Sequence, residues 1–407
     1  MHSCKNTCIF ENCILKIIMH MKRIYIFSLL IINLVFAQES QVFYSLDDAL
    51  QTPDQVYTLH LRNQDFKEFP KQIFKFPNLM YLDISENQIQ TIPKKIKKLK
   101  NLRFLSVSKN NISIIPPEVC QLVNLEVLLL QENNIVSLPE NIGSLTNLKK
   151  INCAYNSLTG LPDSFGNLTN LRDIILQNNQ LSSFPEIILT NKRVTNLSIG
   201  NNPLQTIPEL ISEFIFLEEV DLQNCSLKSI PDSFCSLQRL IHVDLSSNSL
   251  SQLPENFGDL QRIEILNLNN NLLVLLPDSF GNLSMLTVSS ISDNAIQYLP
   301  DSFCNLLNLE KLYVQNNQLK KLPHNFGNLE ALLSLHIQGN PLSELPNSFN
   351  LLQNLYELSI DYEMLIASAV LIESMSELSR IIVPNIPEDS EKMEGLVEMF
   401  PNVTFVK

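Results

Sequence analysis

Residues 125–139 read Leu125-Glu126-Val127-Leu128-Leu129-Leu130-Gln131-Glu132-Asn133-Asn134-Ile135-Val136-Ser137-Leu138-Pro139. With Leu125 as position 1, apolar residues fall at positions 1, 4, 6, 11 and 14, Asn at position 9 and Pro at position 15, and the phrase returns every 23 residues. Its starts are Val56, Leu79, Leu102, Leu125, Leu148, Leu171, Val194, Leu217, Leu240, Ile263, Leu286, Leu309, Leu332 and Leu355, thirteen intervals with no insertion or deletion. Such regularity excludes chance and marks a stack of like units.

Each position has a physical reason. Positions 4 and 6 alternate with polar neighbours, the period-2 mark of a strand with one buried face, so position 5 faces the other way. Asn at position 9 follows the strand, where the turning chain leaves backbone N–H and C=O groups without ladder partners. A short amide satisfies both kinds, and one per repeat makes a buried polar ladder. Pro at position 15, from Pro70 to Pro346, sets φ where no N–H is needed. Position 18 is Ile, Val or Phe in every repeat from Ile73 to Phe349, and about eight residues after the Pro leave room for a short helical turn only.

This phrase resembles the leucine-rich repeat, in its 23-residue form with LP near the end of the conserved part, and covers about three quarters of the chain. The type is similar to that of plant intracellular Ras-group and bacterial leucine-rich repeat proteins. The resemblance implies an α/β solenoid: a right-handed horseshoe with a parallel β-sheet on the concave face, short helical or 3-10 turns on the convex face, and about 14 repeats. One unit cannot bury its apolar side alone, so stability comes from stacking. Fourteen strands at ~4.8 Å spacing give an inner edge of roughly 65 Å. For function the family is a weak guide, because the fold serves many unrelated partners.

Outside the repeats, residues 1–20 read as an upstream mis-start, with translation beginning at Met21. Residues 21–37 read as a signal peptide: Lys22 and Arg23, an apolar stretch from Ile24 to Phe36, and Val35-Phe36-Ala37 before Gln38. Residues 38–55 are expected to form an N-terminal helical cap, with Ser45 as N-cap and Leu46, Ala49 and Leu50 over the first repeat. The repeat domain spans 56–360. Residues 361–407 read as a C-terminal cap with a degenerate repeat: Leu378, Ile381 and Val383 revive the phrase, Pro387 to Phe400 has helical spacing, and Val403 to Val406 forms a last strand.

The chain carries a net charge of −13, and residues 38–407 hold 25 basic against 41 acidic residues. That balance argues against nucleic acid and against a broad anionic membrane surface. Nothing resembles a catalytic motif, and nine Gly in 407 residues exclude Gly-rich phosphate loops. No cofactor and no metal site is expected. Cys120, Cys153, Cys225, Cys235 and Cys304 read as buried reduced thiols, because Cys120, Cys235 and Cys304 share position 19 in repeats too far apart to bond.

Two groups on the inner sheet are candidate ligand-binding residues. One is apolar: Tyr81, Phe104, Val127, Leu129, Tyr155 and Ile175 in consecutive repeats, expected to be exposed without a folding rationale and so to mark a partner site. The other is acidic: Asp173, Glu219, Asp221 and Asp244, with Asn196 and His242 between. Asp221 and Asp244 are expected on adjacent strands, where like charges repel unless a cation or a basic group of a partner intervenes. His60 and His336 also stand at position 5. The run Lys94, Lys95, Lys97, Lys98, Lys100 falls on the outer return segment and reads as a solvated face. Asn167 and Asn282 fit glycosylation acceptors, a weak signal in so Asn-rich a repeat. The expected function is that of an exported, non-catalytic module, secreted or periplasmic, binding a protein or other macromolecule on its concave face. No nucleic acid partner and no membrane span are expected. The alternative is an intracellular scaffold of the Ras-pathway type.

Overall fold

The computed structural model describes residues 41–384, 386 and 391–406. The upstream segment 1–20, the leader at 21–37, residues 38–40 of the cap and 387–390 of the C-terminal helical stretch lie outside the described residues.

Every repeat contributes a three-residue strand at positions 3 to 5, from Thr58–His60 through Glu357–Ser359, and neighbours pair in parallel with a register step of one repeat, Leu105 opposite Leu128 for example. The sheet holds 17 strands. Beyond the fourteen of the repeats, Val42–Phe43 pairs with Thr58 and Leu59 at one end, while Arg380–Ile382, in the revived phrase, and Thr404–Val406, the expected last strand, extend the other. Positions 4 and 6 point into the core, as Leu128 and Leu130 do. The return paths are 3-10 turns of three to five residues, such as Ile142–Ser144 and Asp278–Asn282. Their position-18 side chains stack along the solenoid: Phe280 lies 6.2 Å from Phe257 and 5.7 Å from Phe303. Adjacent turns run so close at Gly258 that a Cβ there would sit 1.7 Å from the Ser279 carbonyl oxygen, so no larger residue fits.

The Asn ladder does the work expected of it. Asn110 Nδ2 donates to the carbonyls of Ile84, Val107 and Ser108 at 3.0 to 3.1 Å, and its Oδ1 accepts from Ile89 N at 2.9 Å. Cys225 replaces one rung: its Sγ lies 3.6 Å from Ile199 O and 3.5 Å from Gln223 O. A thiol brings no amide oxygen, and the group such an oxygen would have served, Leu204 N, turns back onto Asn202 O at 2.8 Å. Just before each rung, position 8 takes a positive φ, as at Glu86, Lys109, Glu132, Tyr155 and Asn178. That conformation is hard on β-branched side chains, and none occurs there.

The ends differ from the repeats. Ser45 Oγ accepts from Asp48 N at 3.1 Å and starts the helix Leu46–Ala49, with Ala49 buried and Leu46 and Leu50 packed on the core. Where Glu363 and Ser368 break the phrase, two short helices, Tyr362–Ala367 and Ala369–Glu373, replace the turn, and a third spans Glu391–Met399.

Candidate binding surface on the concave sheet

Tyr81, Phe104 and Val127 occupy position 3 of three consecutive strands and are direct register partners. The Tyr81 and Phe104 rings stack at 4.0 Å, 5° from parallel. Phe104, Val127 and Leu129 form a small apolar cluster apart from the main core, with Tyr81 packed against it. The expectation that these side chains stand open to water is corrected: Phe104, Val127 and Leu129 are 7%, 8% and 7% exposed. Side chains at positions 3 and 5 of neighbouring parallel strands are close enough to cover one another, and here each is apolar enough to do so. Two further members do not join them. Tyr155, at the positive-φ position beyond its strand, is 52% exposed. Ile175 is half-buried on its strand, separated from Leu129 by Asn152, the register partner of both.

The cluster floors a groove of about 540 Å³ that runs from His60 to Lys150. The ring stack continues outward through His60, 4.9 Å from Tyr81, to Tyr44, 5.6 Å from His60. Along one rim, Arg62 donates to both Glu86 oxygens at 2.8 and 2.7 Å, and Lys109 donates to Glu86 at 3.1 Å. Arg62 first and Lys109 second hold the Glu86 carboxyl down to about 2. These charged residues escaped the sequence reading. Arg62 and Glu86, at positions 7 and 8 of successive repeats, were findable by aligning repeats column by column.

The acidic group is held together more tightly than its charges suggest. Asp221 and Asp244 are register partners, as are Glu219 and His242. Asp221 accepts from Gln223 N at 3.1 Å and Ser198 Oγ at 2.9 Å, and Asp244 accepts from Ser246 Oγ, Ser246 N and Asn267 Nδ2 at 2.6, 2.9 and 3.1 Å. Burial, then the neighbouring Asp244 charge, pushes the Asp221 carboxyl up to about 6, and burial also raises Asp244. Protein donors hold the two carboxylates and an elevated proton affinity relieves their repulsion, and among the described residues no three His, Cys, Asp or Glu converge as a metal site. Glu219 lies 3.4 Å from His242 Nδ1 and accepts from Asn196 Nδ2 at 3.0 Å. Together these residues line a small pocket of about 90 Å³. Asp173 stands apart, 3.6 Å from Lys150 Nζ. That pair separates the two groups, so the apolar groove and the acidic pocket are distinct sites.

The five described thiols are free and buried. Burial pushes them up to about 11 at Cys120 and Cys304 and about 12 at Cys153, Cys225 and Cys235. His336 is buried, within 3.0 Å of Glu357 Oε1 and 4.8 Å from the Tyr313 ring.

A single parallel sheet stepped by one repeat, backed by 3-10 turns and an Asn ladder, defines a horseshoe solenoid of the kind that presents a concave face. The chain is a leucine-rich repeat protein. Family models described as "Leucine-rich repeat region" and "Leucine rich repeat" match residues 94–197 and residues 54–112 and 216–273, and a third, "Leucine Rich Repeat", matches 308–329. No match is found among curated proteins. Among solved structures, the chain is similar to a leucine-rich repeat protein of Leptospira interrogans, with 28% identity, TM-score 0.76, and coverage of 91% of this chain and 100% of that one. It is also similar to the ectodomain of a plant membrane receptor kinase from Arabidopsis thaliana in complex with Casparian strip integrity factor 2, with 25% identity, TM-score 0.62, and coverage of 81% of this chain and 44% of that one. An internalin of Listeria monocytogenes, at 20% identity, TM-score 0.63 and coverage of 83% and 92%, shares the fold. The fold is one of protein–protein interaction. Among the described residues no helix is long and apolar enough to cross a membrane.

Proposed function

We propose that this is an exported, non-catalytic binding protein whose N-terminal concave groove holds a segment of another protein or macromolecule. The observation that carries this reading is the second apolar cluster, Phe104, Val127 and Leu129 with Tyr81, which is separate from the core and floors a groove of about 540 Å³. An apolar floor with charged rims is the usual anatomy of a recognition surface. The likeness to a plant receptor ectodomain solved with a bound factor supports it, and the leader-like segment at 21–37 supports export. Affinity capture with the wild-type protein and with the Phe104→Ala/Leu129→Ala variant tests the site. A partner retained by the first and lost by the second is expected, and equal retention refutes it. Mass spectrometry of the exported protein should find its first residue at Gln38; an intact N-terminus would favour the intracellular scaffold.

A further inference from the structure

The convex face of the first two repeats differs from the rest of the chain. The turns Lys71–Lys75 and Lys94–Lys98, with Lys100 just beyond, carry seven exposed lysines and no acid. None of the seven belongs to an ion pair among the described residues. Six of the later turns do the opposite. Asp163, Glu186, Glu209, Asp232, Asp278 and Asp301 each open a turn immediately after the conserved Pro. An acid suits that place, because the first N–H groups of a helical turn favour negative charge. Lys71 and Lys94 occupy the same place in the first two repeats, so folding does not account for them.

In the second turn buried Ile96 lies between Lys94, Lys95 and Lys97, Lys98. In 3-10 geometry, residues three apart are aligned and separated by about 6 Å, which sets Lys94 over Lys97 and Lys95 over Lys98. That spacing is inside the ~8 Å screening length of physiological salt, so the ammonium groups repel one another and act jointly on anything anionic they meet.

We propose that this face docks the protein on an anionic lipid surface. The curvature favours a bilayer over an extended polyanion. A convex solenoid touches a plane over a short arc, and the lysine face is two repeats wide. A long polyanionic chain following the convex side would run on over the acidic turns, whereas a plane tangent at the first two repeats recedes from them. The net charge of −13 opposes broad contact and so orients the molecule. Contact at this face also leaves the concave groove open to solution.

The test is co-sedimentation of the full chain with phosphatidylcholine vesicles, with and without phosphatidylserine. Binding is expected only with phosphatidylserine and should fall as salt rises. Each lysine near such a surface adds about five-fold to binding, so changing Lys94, Lys95, Lys97 and Lys98 to Gln should weaken it by roughly two to three orders of magnitude. Changing Lys320 and Lys321 to Gln, two exposed lysines of a distant repeat, should change nothing. Absence of binding to the phosphatidylserine vesicles, or equal binding by the quadruple variant, overturns the proposal. Lysine-dependent retention on heparin without vesicle binding also overturns it, by assigning the face to a sulfated polysaccharide.

Discussion

Phe104 and Phe280 are both buried rings stacked on a ring of the neighbouring repeat, yet their removal should have different consequences. Phe280 is 0% exposed and wedged between Phe257 and Phe303, at 6.2 and 5.7 Å. Truncation to Ala leaves an enclosed void that flanking turns cannot close, and such changes cost about 3–5 kcal/mol. Phe104 is covered by Tyr81 at 4.0 Å and by Val127 and Leu129, but its tip borders a groove of about 540 Å³ that water can enter. No closed cavity forms. The loss is then the stacking contribution, about 1 kcal/mol, and part of the transfer free energy, about another 1 kcal/mol. Phe104→Ala is therefore expected to destabilise by about 2 kcal/mol, half the Phe280→Ala effect. Urea midpoints measure the difference, and amide hydrogen exchange localises it: protection should fall around strands 81–83 and 127–129 for the first variant and across turns 257–303 for the second. Equal costs, or a Phe104→Ala effect above that of Phe280→Ala, would show that the concave cluster is ordinary core, and the functional assignment of the groove would lose its basis.

The acidic pocket makes stability fall on the alkaline side. Asp221 titrates near 3.8 unfolded and about 6 folded, so its favourable contribution is full below about 4 and lost as pH rises through 6, on the order of 2–3 kcal/mol. Asp221→Asn should raise the urea midpoint at pH 8 and leave it nearly unchanged at pH 4; a lower midpoint at pH 8 would refute the assignment. Glu357 runs the other way, because the His336 hydrogen bond lowers its carboxyl below the ordinary 4.5. That contribution is present above 4.5 and lost as pH falls through the folded value, so His336→Gln should make acid unfolding begin at higher pH. Asn110→Ala strands Ile89 N, while the carbonyls of Ile84, Val107 and Ser108 each keep a second donor, Asn87, Asn133 and Glu86 N; at ~1–3 kcal/mol for one buried unsatisfied group, a loss of about 2 kcal/mol is expected by urea titration. The thiols at Cys120, Cys153, Cys225, Cys235 and Cys304, buried and pushed to about 11–12, should react with a thiol reagent only in denaturant. Rapid labelling of the native protein would contradict that.

The repeat made the fold legible because each contact that builds it is local to one unit or shared with the next. Leu128, Asn133 and Pro139 announce strand, rung and turn from their spacing alone. The concave surface was legible only in outline. Residue numbers put Phe104, Val127 and Leu129 side by side, but their mutual shielding depends on how closely neighbouring strands bring the side chains together. Tyr155 looked equivalent to them until the backbone put it at a positive-φ position past the strand end. The raised proton affinity of the Asp221–Asp244 pair follows from burial, and donors such as Ser198 and Asn267, each one repeat away, pull against it. Val42–Phe43 was missed because two alternating residues are too few to signal a strand, and the helices at 362–373 because a failing pattern says where the repeat stops and not what replaces it.

The unbroken register has an evolutionary corollary. Since each coil presents the same interlocking edges above and below, a whole coil duplicated or deleted between Pro254 and Pro346 would close up with its ladder and Phe stack still in phase. The groove from His60 to Lys150 and the lysine turns lie outside that interval. Molecular length can therefore drift by unequal recombination while both N-terminal surfaces are inherited intact.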